Sequence, residues 1–430
     1  MQKAKYLFSL IITSGWLILV SSHLNSQTVS ARFTTSAYTW EQQEIDSSKA
    51  NHLRFYQLAQ LSLGNLGLPN LSFHTYVQFS NDFAEKAADD PRWWIYNCYF
   101  DLKNVAKAID IGLGRQRIYA GVGYGTVDGL QLQYHLKDYF KIKFYVGTLA
   151  PIAKSTEVRD FNGDNLTYGF HLTSAKLKKV HIGLSYARQS VEPIKYSSPG
   201  SFTGTFRLDH PVSARQKELI GLDVGSQINN KLRLNGRLDF NLLAQNVKRG
   251  EFGGRYQINR NFELGLDYIY RTPFIDQNSI FSVFVLNPNQ EIAFQGRYRW
   301  NEYQFFVNAS NVIFDGDNNQ RLGVGCSWKS LYLGYNRRAG YGGDSDGLTL
   351  NFNYPLMDKL NVTLGSNFAS YKLSEFSKEK DQAIAGVLGI NYVPVKNLSL
   401  QAEAQVLNNK IFSRDVRFFF RGSYALFQRL

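Results

Sequence analysis

The stretch from Ile109 to Gly147 reads IDIGLGRQRIYAGVGYGTVDGLQLQYHLKDYFKIKFYVG, and the rest of the chain repeats its pattern. In each of three segments, apolar residues alternate with polar residues or glycine, which puts one set of side chains on each face of a β-sheet. A glycine-rich connection at 118–127 joins the first two segments, whereas only a few residues join the second to the third. Alternating long and short connections are typical of an antiparallel β-barrel in an outer membrane.

The whole chain contains 22 segments with this alternation, from 30–42 to 417–430. Most have the roughly 9 to 11 residues that a tilted strand needs to cross a bilayer. We therefore predict an all-β fold, a single antiparallel transmembrane β-barrel of about 22 strands within a range of 16 to 22. The longest connections, at 148–164, 189–216 and 272–290, are expected outside the cell, with short turns and both termini in the periplasm.

Residues 1–26 are predicted to be a secretory signal peptide, and 27–430 the barrel. Lys3 and Lys5 give a basic start, 7–20 form an apolar run, and small or polar residues follow. The alternative, a transmembrane helix, is disfavoured because the run is shorter than the roughly 20 residues that a bilayer core requires.

The net charge of +13 points to particular partners. Because the basic residues are spread along strands and loops, they favour anionic lipopolysaccharide or small anionic solutes and argue against nucleic acid. The final strand is aromatic through Phe418, Phe420 and Tyr424. It resembles the strand by which the barrel-assembly machinery recognises outer-membrane proteins, although it ends in Leu430 where a Phe is usual. We expect the chain in the outer membrane of a Gram-negative cell, among its lipids.

Aromatic residues near strand ends predict two interface girdles, because amphipathic rings prefer the headgroup level. The periplasmic girdle is predicted to contain Tyr134, Tyr256, Trp300, Trp328, Tyr354 and Tyr392. The outer girdle is predicted to contain Trp40, Trp94, Tyr268, Tyr335 and Phe418.

Charged residues recur at the alternate positions of four neighbouring segments, so they are expected on the inward face. Such a band either lines a water-filled pore that favours anions or forms a salt-bridge ladder that satisfies polar groups inside the barrel, and both can hold at once. The predicted pore-lining residues are Arg233, Arg237, Asp239, Glu251, Arg255, Glu263, Asp267, Arg297 and Arg299.

One hairpin carries a family resemblance. Leu113-Gly114-Arg115-Gln116, a glycine-rich connection and then Asp128-Gly129-Leu130 resemble a hairpin of the alginate-export and related substrate-selective porins. A weaker copy runs from Gly334 through Arg337 and Gly340 to Asp346-Gly347-Leu348. The resemblance implies a Gram-negative outer-membrane porin. By strand parity Arg115 would face lipid, unless a bulge redirects its side chain.

Other chemical sites are sparse. Asp160, Asn162 and Asp164 have the spacing of oxygen ligands in calcium loops, but the acidic residue expected further along is absent, so an ordinary loop is the alternative and no other cofactor is predicted. His171, His181 and Ser185 lie near one another in sequence, yet nothing fixes a nucleophile, a base and an orienting group together. Cys98 and Cys326 are expected to be separate lipid-facing residues. We predict no enzyme.

These observations favour a channel for passive diffusion of small polar or anionic solutes. The alternative is a non-conducting scaffold, or a secretion or assembly partner, which would show no open-channel current. A 22-stranded barrel without a plug has a wide lumen. We therefore expect the connections at 189–216 and 272–290 to fold inward and narrow it.

The predicted orientation is tested by proteolysis of intact cells. The connection at 189–216 should be cut, and the short turn at 228–230 should be spared. Cleavage at the short turn in sealed cells would reverse the orientation.

Overall fold

The structure is a computed structural model that describes residues 28–43, 49–85, 90–136, 139–151, 156–174, 177, 179–192, 196–198, 208–210, 215–273, 287–341, 343–372, 379–410 and 414–429. The predicted signal peptide lies outside these residues.

Twenty-two strands form one closed antiparallel barrel. Those of the first half are β1 (Thr28–Gln43), β2 (Lys49–Gly64), β3 (Leu71–Asp82), β4 (Arg92–Val105), β5 (Ile109–Ala120), β6 (Gly123–Leu136), β7 (Phe140–Leu149), β8 (Leu166–Ser174) and β9 (Val180–Val191). A separate small hairpin, β10 (Tyr196–Ser198) and β11 (Leu208–His210), follows. The barrel continues with β12 (Arg215–Gln227), β13 (Leu232–Asn241), β14 (Asn246–Gln257), β15 (Phe262–Arg271), β16 (Asn289–Trp300), β17 (Tyr303–Phe314), β18 (Asp317–Trp328), β19 (Leu331–Gly340), β20 (Ser345–Met357), β21 (Leu360–Tyr371), β22 (Asp381–Val395), β23 (Leu398–Asn408) and β24 (Asp415–Arg429).

The barrel closes where the first strand pairs with the last. The β1–β24 ladder runs from Thr28 opposite Arg429 to Tyr38 opposite Phe419. Closure removes the free edges that a bilayer cannot hydrogen-bond. The all-β prediction and the count of 22 strands are confirmed.

The outward face of the barrel is apolar, and large hydrophobic side chains on it are exposed. Leu266 and Phe252 are each 57% exposed, and Phe294 and Leu238 are also exposed. Such a belt stabilises a barrel only when lipid covers it, so the fold is that of an outer-membrane protein. Among the described residues, no helix is long and apolar enough to cross a membrane.

The predicted periplasmic girdle is supported, because all six of its aromatic residues are exposed and lie near strand ends. Two members of the predicted outer girdle point inward instead. Trp40 is opposite His52 and stacks on its ring at 4.5 Å. On β4 the ladder skips Tyr96, so that Trp94 lies opposite Gln78 on the inward face and Trp93 is 52% exposed outside.

One predicted connection is wrong. β5 extends to Ala120 and β6 begins at Gly123, so the segment 118–127 is a two-stranded hairpin and not a loop. The two longer connections expected to narrow the barrel lie largely outside the described residues, and that prediction is untested by this structure.

The lipid-facing belt yields a stability prediction. Leu266→Arg should destabilise the folded barrel by roughly 2 to 4 kcal/mol if the site is near the midplane, because a cation is poorly solvated there. Asn308→Arg is the control, since Asn308 is exposed on the inward face. Unfolding in urea from detergent or lipid measures both changes. Equal destabilisation by the two substitutions would contradict the assigned faces.

Candidate functional site

The β5–β6 hairpin leaves the barrel wall before it turns. β5 and β6 pair with each other as far as Ala120 and Gly123. However, the β4–β5 ladder ends at Arg115, and the β6–β7 ladder ends at Val127. The Thr126 carbonyl oxygen still accepts a hydrogen bond from the Ala150 amide at 2.9 Å. From Gln116 to Gly125 the two strands of the hairpin therefore form ladder pairs only with each other.

Two glycines that face each other across the hairpin permit this departure. Gly114 has a φ of 124°, a conformation that side chains disfavour, and a Cβ there would lie 2.5 Å from the Cys98 carbonyl oxygen. A Cβ on Gly129 would collide with the backbone of Val146. The glycines of the sequence motif are thus required at the bend.

Arg115 anchors the bend through a buried ion pair. Its Nε and Nη2 donate to the two carboxylate oxygens of Asp128 at 2.6 and 2.7 Å, and the two side chains are 5% and 10% exposed. The same guanidinium donates to the carbonyl oxygens of Ile95 at 3.4 Å and Glu157 at 2.5 Å. Arg115 thus satisfies a carbonyl of the β4 edge that the departing hairpin leaves without a neighbouring strand. The backbone bend at Gly114 redirects Arg115 away from lipid, as the sequence analysis allowed.

The tip of the hairpin packs against the inner wall in two small apolar clusters. Ile118, Ala120 and Val127 pack with Tyr145 of β7, and all four are buried. Val122 packs with Ala187 of β9 and Leu219 of β12. The apolar residues of the segment that the sequence predicted to be a loop are therefore the buried face of an inward fold.

Polar contacts hold the turn itself in place. The amide nitrogen of Val122 donates to Ser185 Oγ at 3.1 Å, and Ser185 Oγ donates to the Gly221 carbonyl oxygen at 3.4 Å. Gln189 Nε2 donates to the carbonyl oxygen of Tyr124 at 2.8 Å. Gly221 provides the space, because a Cβ there would collide with the Val122 side chain.

The surface that contacts the hairpin turn, formed by Ser185 and Gly221, lies inside the barrel. Ser185 is opposite Gly221 across β9 and β12, and Gly221 is opposite Asp239 on β13. Those residues share the polar face, whereas Leu222 and Leu238 point outward and are exposed. The opposite side of the hairpin faces the lumen and presents Tyr119 and Tyr124, which are 60% and 54% exposed. It also presents Arg117, whose guanidinium lies 4.9 Å above the Tyr119 ring.

The predicted pore-lining residues lie on the inward face of β13 to β16, and most form ion pairs. The shortest contacts are 3.0 Å for Arg237 with Asp239, 2.7 Å for Arg255 with Asp267 and 3.7 Å for Arg297 with Glu263. Glu251 pairs with Arg249 at 2.7 Å and Arg271 at 3.1 Å. Arg233 and Arg299 are exposed. The salt-bridge ladder is therefore present, and the role of this band in conduction remains a prediction.

The candidate calcium loop is built as a turn. Asn162 Oδ1 accepts hydrogen bonds from the amides of Asp164 at 3.1 Å and Asn165 at 3.0 Å. No group of three or more His, Cys, Asp or Glu in the described part of the chain is arranged to hold a metal ion. Calcium binding by Asp160, Asn162 and Asp164 remains a prediction.

The residues that raised the question of catalysis are used structurally. Ser185 is fully buried beneath the hairpin tip, opposite His171, and its hydroxyl is engaged by Val122 and Gly221. A substrate therefore has no access to that hydroxyl in this conformation.

Cys98 and Cys326, which were predicted to be separate from each other, are both free thiols.

Comparison with known proteins supports the fold. No protein-family model matches the chain, and no curated protein matches its sequence. Among solved structures, it is similar to the ferric enterobactin receptor PfeA of Pseudomonas aeruginosa, with a TM-score of 0.56 and 10% identity over 92% of this chain and 80% of that one. It is also similar to the P pilus usher PapC translocation pore (0.48, 9% identity, 93% and 99% covered) and to OccAB4 of Acinetobacter baumannii (0.45, 10% identity, 94% and 99% covered). The chain is an outer-membrane β-barrel protein.

The anchor yields a stability prediction with a matched control inside the chain. Arg115→Gln should destabilise the barrel by about 3 to 5 kcal/mol, because it leaves Asp128 buried without its cation. The weaker copy of the motif pairs Arg337 with Asp346 at 3.5 Å, with Arg337 55% exposed. Arg337→Gln should leave the stability nearly unchanged, because solvent screens an exposed ion pair.

Urea unfolding of both variants measures the difference. A double substitution, Arg115→Gln with Asp128→Asn, should recover part of the lost stability, because neither buried charge then remains. Equal, small effects at Arg115 and Arg337 would show that Arg115 does not anchor the hairpin.

Proposed function

We propose that this protein is a channel for passive diffusion of small polar or anionic solutes, and that the β5–β6 hairpin narrows it. The observation that carries this proposal is that Val122, at the hairpin tip, rests against Ser185 and Gly221 of the inner wall. A ten-residue segment folded against one side narrows a wide lumen without filling it, so water and small solutes retain a path.

The chemistry of the lumen supports the choice of solutes. The inward face is lined by charged and amide side chains, and Arg117 adds a cation on the lumen side of the hairpin. Charged linings with low-dielectric walls concentrate solutes of opposite sign, and the chain without Lys3 and Lys5 of the predicted signal peptide has a net charge of +11. The overall preference is therefore for anions.

The proposed partners follow from the same surfaces. The outward belt contacts membrane lipid, and basic residues beyond it contact lipopolysaccharide. The last strand, β24, carries outward Phe418, Phe420 and Tyr424, which are 56%, 47% and 45% exposed. We propose this strand as the element that the barrel-assembly machinery recognises.

The test is single-channel conductance in planar bilayers with Gly221→Leu. The new side chain occupies the space of Val122, so the hairpin tip should be displaced and the conductance should rise relative to the unsubstituted protein. Gly225→Leu is the matched control on the same strand and face, because a Cβ there meets only the His181 side chain, at 3.7 Å. It should leave the conductance close to its original value.

Two results would count against the proposal. Equal conductance of the unsubstituted protein and Gly221→Leu would show that the hairpin does not narrow the conduction path. Absence of discrete currents from all three correctly folded proteins would favour the scaffold or secretion partner.

A further inference from the structure

A cluster of cations lies where β1 pairs with β24 and closes the barrel. It differs from the predicted charged band on β13 to β16 in its pairing with carboxylates. On β13 to β16 most of the arginines are paired with carboxylates, as Arg255 is with Asp267. On the strands around the barrel closure, Arg32 of β1 and Arg421 of β24 point inward, and Lys396 lies at the β22–β23 turn. All three are exposed.

These cations line one recess in the inner wall, with a volume of about 470 Å³. Its remaining polar lining consists of uncharged donors and acceptors on Thr34, Gln60, Tyr76, Asn397, Ser399 and Ser423. None of the described residues that line it is acidic. None of the three cations has a carboxylate within ion-pair distance among the described residues. The recess therefore concentrates cations without carboxylate partners, whereas most arginines of the band across the barrel are paired with carboxylates.

The register shows how the two arginines share the recess. Arg32 is opposite Ala425, Thr34 is opposite Ser423, and Ser36 is opposite Arg421. The two arginine rows are four residues apart, about 13 Å along the strands, which leaves the Thr34 and Ser423 row between them. The hydroxyls of that row contact each other at 2.9 Å. A solute in the centre can therefore meet a guanidinium on each side and hydroxyls beneath.

One arginine is held in position before any solute arrives. The guanidinium of Arg421 lies 5.0 Å above the ring of Phe419, which is on the same face of the same strand. Stacking of this kind restricts the side chain without using its hydrogen-bond donors, which lie at the edge of the plane. Planar guanidinium groups bind carboxylate and phosphate oxygens in pairs.

We propose that this recess is a binding site for the oxyanion group of a small solute, a carboxylate or a phosphate, on its way through the barrel. The role in passage rests on the proposed function, whereas the binding itself does not. Pockets of this volume hold small organic molecules.

The test is equilibrium binding of succinate and, separately, of inorganic phosphate to the full folded chain in detergent, by isothermal titration calorimetry at low salt. The double variant Arg32→Gln, Arg421→Gln should weaken binding by at least about tenfold, the loss expected for a single charge-assisted hydrogen bond. Binding of succinate without phosphate assigns the site to carboxylates, and the reverse assigns it to phosphates.

Lys141→Gln is the matched control. Lys141 is another exposed cation near the periplasmic end of an inward face, but it lies on β7, away from the recess and outside the predicted pore-lining set. It should change the affinity by less than about twofold, because a surface charge at that range is screened. Far-ultraviolet circular dichroism verifies that each variant retains its strands.

The outcomes separate this inference from the proposed channel. If neither anion binds, or if Lys141→Gln weakens binding as much as the double variant, the site is wrong even where open-channel currents are present. If the anions bind with the predicted pattern and no currents appear, the site stands and the channel is wrong. In a conducting protein, succinate should also reduce the current, and the double variant should lose that block.

Discussion

The constraint on which this structure depends is that no backbone hydrogen-bonding group can be left unpaired in lipid. It explains why the first and last strands meet, with Thr28 opposite Arg429. It also explains the course of the β5–β6 hairpin. A hairpin that leaves the wall has two free edges, which lipid cannot satisfy and which the polar interior of the barrel can. The Arg115 guanidinium bonded to the Ile95 carbonyl oxygen covers part of the edge left behind on β4.

Much of the architecture was predictable from the sequence, because the period of two is a local property. All 22 barrel strands lie where alternation predicted them, and strands such as Leu360–Tyr371 agree to the residue. Strand parity fails where the backbone departs from ideal pairing. Trp94 was predicted outside, but the ladder skips Tyr96 and reverses the parity of the residues beyond it. A bulge of this kind leaves no mark in the apolar pattern.

The hairpin was only half predictable. Its glycines and the Arg115 and Asp128 pair stood out as a motif, but the segment between them read as an outer loop because it is rich in glycine. The residues that hold it inward lie elsewhere in the sequence. Tyr145 packs against the hairpin, Ser185 accepts a hydrogen bond from it, and Gly221 leaves space for its tip. Similarly, Arg32 and Arg421 are almost the whole chain apart in sequence. Only barrel closure brings them to one recess, so sequence reasoning that compared neighbouring strands in order missed them.

The central claim is that the hairpin tip rests against the inner wall at Gly221. Disulfide trapping tests it most directly, with Val122→Cys and Gly221→Cys introduced after Cys98→Ser and Cys326→Ser. Because a Cβ on Gly221 would contact the Val122 side chain, the two new thiols should form a disulfide on mild oxidation of the folded barrel. The product should resist labelling by maleimide until it is reduced. If both thiols remain free and react fully with maleimide in the folded barrel, the tip does not occupy this seat and the account of a hairpin-narrowed barrel is contradicted.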